Sequence, residues 1–228
     1  MTRRRNFRSI AAHLLAIVAS LIAIIPVYLI CVNALKSSAQ SSSMGVEFPT
    51  ELHLENFVTV IEQGKLTTSF LNSMLYASGA SIIATLFSAL AAFVLSRQRT
   101  RFNRAIYLFL IMGIALPINF FTLTKIMQLT HLINTKPGII ILYATLQVPF
   151  AIFLIYGFVE SIPRELDEAA TMDGCGPTRL FFSVIMPLLT PVLVTTFILS
   201  FLNTWNDFIM PLYYWTAPIE WSGLNVSA

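Results

Sequence analysis

Residues 138–159 read GIIILYATLQVPFAIFLIYGFV, an apolar run without a single charged side chain. A bilayer core about 30 Å thick needs roughly 20 apolar residues in an α-helix. The run therefore predicts a helix that crosses a membrane. The same pattern recurs along the chain, and five stretches qualify as spans: about Ile10–Val32, Phe70–Leu95, Ala105–Leu129, Gly138–Val159 and Leu180–Asn203.

The composition of the whole chain agrees with these spans. Of its 228 residues, 56% are hydrophobic and 11% are charged, whereas a soluble globular protein carries about 25% charged residues. We therefore expect an all-α bundle of membrane helices. Two cysteines, Cys31 and Cys175, cannot form a disulfide framework and are predicted to be free thiols on opposite sides of the membrane.

The arginines predict the orientation of the spans, because Lys and Arg are enriched in cytoplasmic loops. They occupy the N-terminal tail and alternate loops: Arg3, Arg4, Arg5, Arg8, Arg97, Arg99, Arg101, Arg104, Arg164 and Arg179. The opposite loops contain only Lys36, Lys65 and Lys136. Residues 1–9 are therefore predicted to be a cytoplasmic tail, and residues 160–180 are predicted to be a cytoplasmic loop.

Polar residues within the spans allow two interpretations. Asn119, Thr122 and Gln147 could line a path for a polar solute, or they could form hydrogen bonds between helices. Pro117 and Pro149 each remove a backbone hydrogen bond, which suits a helix that lines a wet cavity, although proline is frequent in membrane helices generally. The residues themselves leave both alternatives open.

The loop 160–180 contains the signals of a short helix. Pro163 suits the first helical position, and Gly174 suits the left-handed residue after a helix end. Gly176-Pro177 then turns the chain into the next helix. One face of this helix could allow close approach by another surface, or the helix could lie as an amphipathic loop helix at the membrane interface. The residues of that face are Leu166, Ala169, Ala170 and Asp173.

Two sequence motifs carry a resemblance to a known family. The run Glu168-Ala169-Ala170-x-x-x-Gly174, followed by Val184-x-Met186-Pro187, resembles the EAA loop of binding-protein-dependent ABC importer permeases. Val184 and Met186 stand where the family pattern has isoleucine and leucine, and both keep apolar character. Trp205-Asn206-Asp207 is similar to the carbohydrate branch of that family, in particular to the second permease subunit of maltose-type and oligosaccharide-type importers.

The resemblance implies a division of labour. A permease domain over residues 10–228 would form the translocation pathway with a second permease subunit in the lipid bilayer of a bacterial or archaeal cytoplasmic membrane. ATPase subunits would bind ATP and Mg²⁺, and an extracytoplasmic binding protein would deliver the solute. The residues that match the ATPase-coupling motif are Glu168, Ala169, Ala170, Asp173 and Gly174.

The sequence contains no sign of its own catalysis. It lacks the phosphate-binding pattern Gly-x-x-x-x-Gly-Lys-[Ser/Thr]. We expect no catalytic residues, no bound cofactor, no nucleic-acid partner and no metal site, since His13, His53 and His131 lie far apart.

Alternatives to a carbohydrate importer remain at this stage. They are a permease for another polar solute such as a polyol or glycerophosphate, an ion-coupled secondary transporter, and a scaffold protein. The predicted spans contain no core Asp or Glu, which argues against ion coupling. The resemblance further implies a sixth span, and because residues 216–228 contain no apolar run, we expect an incomplete sequence.

Overall fold

The structure is a computed structural model that describes the backbone of residues 2–214 and the side chains of residues 12–214. Every regular element in this part of the chain is a helix. The arginines of the predicted tail and the polar end of the chain at residues 216–228 lie outside the residues whose side chains are described. The described chain divides into two compact units, one up to Phe70 and one from Leu71 onward.

The first unit consists of a long helix and two short ones. These are α1 (Thr2–Ala34), α2 (Ser38–Ser41) and α3 (Glu55–Gln63). The predicted tail is therefore helical from Thr2 onward. The ammonium group of Lys36 is buried and donates to the carbonyl of Gly45 over 2.7 Å, which holds the loop after α2 against the end of α1.

The second unit contains the remaining membrane helices. Its elements are α4 (Leu66–Arg97), which begins before the boundary at Leu71, and then α5 (Arg101–Met112), α6 (Phe120–Leu129), α7 (Lys136–Ser161), α8 (Glu165–Met172), α9 (Pro177–Arg179), a π-helical segment (Leu180–Ile185), α10 (Met186–Asn206) and α11 (Ile209–Tyr214). Within the described residues, four stretches are long and apolar enough to cross a membrane: Ala12–Ala34, Leu66–Arg97, Lys136–Ser161 and Pro177–Asn206. They match the first, second, fourth and fifth predicted spans.

The third predicted span, Ala105–Leu129, is wrong as a continuous helix. The structure ends α5 at Met112 and starts α6 at Phe120. Pro117 lies in the break and has no N–H to continue a helix. The side chain of Asn119 accepts a hydrogen bond from the backbone N–H of Thr122 over 3.1 Å, which caps the start of α6.

The core of the second unit forms two clusters along its helices. Small residues of α4, including Ala80 and Ala84, pack in one cluster with Ile139 and Tyr143 of α7. The other cluster joins α4 and α7 to the π-helical segment and α10; its members include Ala92, Ile155, Ile185 and Leu189. Small side chains on α4 allow its backbone to approach the neighbouring helices closely, as is common between membrane helices.

Prolines shape the helix that follows the loop 160–180. Pro191 has no N–H to bond the carbonyl of Pro187 one turn earlier. The hydroxyl of Thr190 donates to that carbonyl over 2.8 Å instead. The freed backbone group is therefore satisfied locally, and the helix continues through both prolines.

Candidate coupling loop and polar helix interface

Helix α8 begins with acidic residues, and the side chain of its N-cap residue, Arg164, caps none of its first N–H groups. Glu165, Asp167 and Glu168 all lie in its first turn, where negative charge interacts favourably with the helix dipole. The N–H groups of Asp167 and Glu168 donate to the carbonyl of Arg164 over 2.9 and 3.1 Å. Pro163 thus precedes the helix, which corrects its predicted place at the first helical position.

The end of α8 is a Schellman motif. Gly174 has a φ of +78°, as its predicted left-handed position requires. The N–H of Cys175 donates to the carbonyl of Ala170 over 3.0 Å, and the N–H of Gly174 donates to Thr171 over 3.0 Å. Pro177 is then the first residue of α9, so the direction of the chain out of α8 is set by backbone geometry.

The four residues of the predicted docking face of α8 differ in exposure. Ala170 is buried, because α8 packs against the π-helical segment. Leu166, Ala169 and Asp173 are exposed. The expectation that both alanines face a partner is therefore wrong for Ala170, whose side chain packs within its own chain.

The exposed side of α8 combines an apolar side chain with acidic ones. Met172 is 88% exposed. A shallow cavity of about 450 Å³ lies beside it, lined by Asp167, Glu168, Thr171 and Met172. This surface suits a partner groove with an apolar floor and a basic rim.

A buried ion pair fixes α8 to the end of α4. The Nε atom of Arg97 lies 2.6 Å from Oδ2 of Asp167, and an Nη2 hydrogen bond of 3.4 Å reaches Oδ1. The two side chains are only 11% and 17% exposed. The Nη2 contact has hydrogen-bond geometry, whereas Nε has no hydrogen-bond partner and contributes a close contact between opposite charges.

Two further bonds join the same segments. The guanidinium of Arg97 donates to the carbonyl of Ile162 over 3.2 Å, and that of Arg164 donates to the carbonyl of Ser96 over 3.3 Å. We call Arg97, Arg164 and Asp167 the loop clamp. Sequence reasoning missed the clamp, because it used the arginines only as markers of membrane side. The available signal was Asp167, an acidic residue in the first turn of α8 that could pair with an arginine such as Arg97.

The three residues predicted to line a pathway have different environments. Gln147 is buried, and its amide donates to the hydroxyl of Thr204 on α10, so the hydrogen-bonding interpretation describes it. Asn119 is exposed and caps α6, whereas Thr122 is exposed on α6. Gln147 is therefore not part of the exposed surface at the start of α6 where Asn119 and Thr122 lie.

A second polar contact extends this interface between helices. The hydroxyl of Tyr143 donates to Oδ2 of Asp207 over 3.1 Å. Asp207 follows directly after α10, in the segment that resembles the carbohydrate branch. Gln147–Thr204 and Tyr143–Asp207 together join α7 to the end of α10 through polar side chains.

Among the described residues, no three His, Cys, Asp or Glu side chains come together as a metal-ligand cluster. Cys31 is exposed and Cys175 is half-buried, and both are unbridged.

Comparison with known proteins shows the family. Residues 64–221 match the family described as the binding-protein-dependent transport system inner membrane component. The chain is 32% identical over 219 residues to the diacetylchitobiose uptake system permease protein NgcG of Streptomyces coelicolor, covering 95% of this chain and 72% of the relative. It is 31% identical over 216 residues to the melibiose/raffinose/stachyose import permease protein MelC of Bacillus subtilis, covering 92% and 78%.

A solved structure shows the same architecture. The crystal structure of a bacterial ABC transporter involved in the import of the acidic polysaccharide alginate matches with a TM-score of 0.78 and 25% identity. The match covers 92% of this chain and 74% of that chain. This chain therefore belongs to the inner membrane components of binding-protein-dependent transport systems, the permease subunits of ABC importers.

Proposed function

We propose that this permease imports a carbohydrate, a sugar or an oligosaccharide, through a pathway that it forms with a second permease subunit. The observation that carries the proposal is the set of relatives that match nearly the whole chain. The names of these relatives describe transport of diacetylchitobiose and of melibiose, raffinose and stachyose. The polar end of α10, where Asp207 meets Tyr143, lies in the segment that resembles the carbohydrate branch.

We further propose that separate ATPase subunits bind ATP and Mg²⁺ and dock on α8. Glu168, Ala169 and Asp173 are exposed and available to such a partner. Met172 adds an apolar anchor that the motif itself did not indicate. An extracytoplasmic binding protein would deliver the solute on the opposite side, with the N-terminus of the chain in the cytoplasm.

The loop clamp gives this docking a mechanical consequence. Because Asp167 is bound to Arg97 at the end of α4, a force on α8 is passed to α4 through this close ion pair and through the bond of Arg97 to the carbonyl of Ile162. Gly174 and Pro177 pass the same force through the backbone toward α10. Closure of the ATPase pair would then tilt both helices together and switch the cavity between its two openings.

Reconstitution of the full importer tests the transported solute. The chain would be purified with its ATPase subunits and second permease, placed in proteoliposomes, and supplied with its binding protein. We expect ATP-dependent uptake of a labelled disaccharide or oligosaccharide. Uptake of glycerophosphate or a polyol, with no carbohydrate transported, would contradict the carbohydrate proposal.

The coupling role is tested in the same system. Glu168→Lys places a positive charge on the acidic surface of α8, and we expect ATP hydrolysis without matching uptake. The matched control is Glu47→Lys, which makes the same change of charge outside the loop 160–180. If Glu168→Lys and Glu47→Lys transported the same amount of solute per ATP hydrolysed, the coupling role of Glu168 would be contradicted.

A further inference from the structure

A second cavity lies between the end of α4, the start of α5 and the end of α7, apart from the exposed surface of α8. It has a volume of about 470 Å³. Three arginines line it, together with tyrosine, threonine and leucine side chains and one glutamate: Leu95, Arg99, Thr100, Arg101, Arg104, Tyr107, Leu108, Tyr156 and Glu160. None of these residues belongs to the coupling motif or to the loop clamp.

The charges in this cavity do not balance. Glu160 is the one carboxylate among its lining residues, and it bonds to Arg99 over 3.1 Å. In the part of the chain that the structure describes, neither Arg101 nor Arg104 is paired with a carboxylate. The cavity therefore keeps about two uncompensated positive charges, which favour an anion, and guanidinium groups match the geometry of phosphate.

The walls of the cavity are held in place by other contacts. The rings of Tyr107 and Tyr156 stack with centroids 4.0 Å apart, which joins α5 to α7. The hydroxyl of Thr100 caps α5 by accepting from the N–H of Asn103 over 3.1 Å. Thr100, Arg101 and Arg104 all line the cavity, so the N-terminal end of α5, which carries the positive end of the helix dipole, lies at the cavity.

The helix that carries two of these arginines also exposes large apolar side chains. Phe102 and Phe109 of α5 are 73% and 75% exposed, and Leu108 at the cavity is 48% exposed. Such residues suit contact with acyl chains beside a headgroup. A soluble anion would not use them, so the occupant that fits both features has a phosphate and a hydrocarbon tail.

We propose that this cavity binds the phosphate of an anionic phospholipid of the cytoplasmic leaflet through Arg101 and Arg104. The leaflet rests on the orientation given under the proposed function. Basic pockets between membrane helices on that side are suited to acidic lipid headgroups. Bound lipid would brace the turn between α4 and α5, directly after the clamp residue Arg97.

Native mass spectrometry of the full chain purified with its partner subunits tests the site, with added phosphatidylglycerol as the probe. We expect Arg101→Gln/Arg104→Gln to bind this lipid about 30-fold more weakly, at about fivefold for each arginine. Lys125→Gln/Arg179→Gln removes the same charge from other positions. It should change the affinity less than about twofold.

A third variant separates a built site from general surface charge. Arg101→Lys/Arg104→Lys keeps the positive charge that orients the spans and removes the planar guanidinium. We expect several-fold weaker binding of phosphatidylglycerol to this variant. Wild-type affinity in this variant, or equal losses in the two glutamine variants, would overturn the proposal.

Two probes identify the source of the phosphate. Phosphatidylcholine should bind more weakly than phosphatidylglycerol, and inorganic phosphate at the same concentration should not displace phosphatidylglycerol. Displacement by inorganic phosphate would make the occupant a soluble anion and would overturn the lipid assignment. Lipid binding needs no transported solute, so a failed carbohydrate uptake assay leaves this result intact.

Discussion

Arg97 and Arg99 lie two residues apart at the same end of α4, and each forms an ion pair with a residue of the loop 160–180. The pair of Arg97 with Asp167 is mostly buried, at 11% and 17% exposure, and it involves both carboxylate oxygens. The pair of Arg99 with Glu160 is 64% and 40% exposed and involves one contact of 3.1 Å. The same residue type therefore provides two different kinds of interaction.

The difference in exposure indicates that the pair of Arg97 with Asp167 stabilises the fold, whereas the pair of Arg99 with Glu160 is a surface contact. In the buried pair, loss of one partner leaves a charge with little water around it, which is costly. In the exposed pair, water and salt replace the lost partner readily. We therefore expect the free energy of unfolding and the coupling of ATP hydrolysis to depend on Arg97 far more than on Arg99.

The largest expected effect is that of Arg97→Met, which leaves the Asp167 carboxylate unpaired. We expect a loss of about 3 kcal/mol in the free energy of unfolding, near the lower end for buried pairs because both side chains keep some exposure. Titration of the purified chain with SDS measures it. The matched variant Arg99→Met should lose less than about 1 kcal/mol, and equal losses would erase the distinction between the two pairs.

A smaller effect is expected at Gly174, where the backbone turns out of α8. Gly174→Ala places a Cβ on a residue with a φ of +78°, although the Cβ itself meets nothing within 4 Å. We expect a loss of about 1 to 2 kcal/mol from this backbone conformation alone. Gly157→Ala is the control, because its Cβ also meets nothing within 4 Å and its φ is not positive. The same SDS titration should show no loss for the control, and a neutral result at Gly174 would remove the strain argument.

Arg97→Lys sharpens the comparison by keeping the charge and removing the guanidinium, which bonds both Asp167 and the carbonyl of Ile162. We expect a loss of about 1 kcal/mol in the free energy of unfolding, because a lysine ammonium is a point charge without the fixed fork of the guanidinium. The ratio of solute transported to ATP hydrolysed should also fall, if orientation of α8 matters for coupling. An unchanged ratio would limit the clamp to a role in stability.

The smallest effect belongs to the exposed pair. Glu160→Gln should change the free energy of unfolding by less than about 0.5 kcal/mol at low salt. The change should disappear near 1 M salt, where charges are screened over about 3 Å. A salt-independent loss would show that the pair of Arg99 with Glu160 is more important than its exposure indicates.

Sequence reasoning succeeded where the signal is local. The helix end at Gly174 and the start of α9 at Pro177 follow from the conformational preferences of single residues, and the structure confirms both. The four long apolar helices follow from length and composition. The family could also be identified, because its motif occupies a short contiguous segment.

Sequence reasoning failed where a contact joins distant residues and where an apolar stretch is broken into two short helices. Gly113 lies against Pro149, since an added Cβ would approach the proline ring to 3.0 Å. The break in the third predicted span therefore packs on the proline of α7. Apolar composition alone gave no sign of this, because a hydropathy window does not distinguish a continuous helix from two short ones.

The sequence by itself determined the membrane class of this protein, its main apolar helices and the C-terminal cap of α8, because each depends on residues adjacent along the chain. Only the tertiary structure decided that Ala170 is buried, that Gln147 bonds to Thr204, and that Arg97 binds a residue 70 positions away. The physical reason is that an arginine's charge predicts only a side of the membrane. Its partner depends on which side chains the packed helices bring within reach.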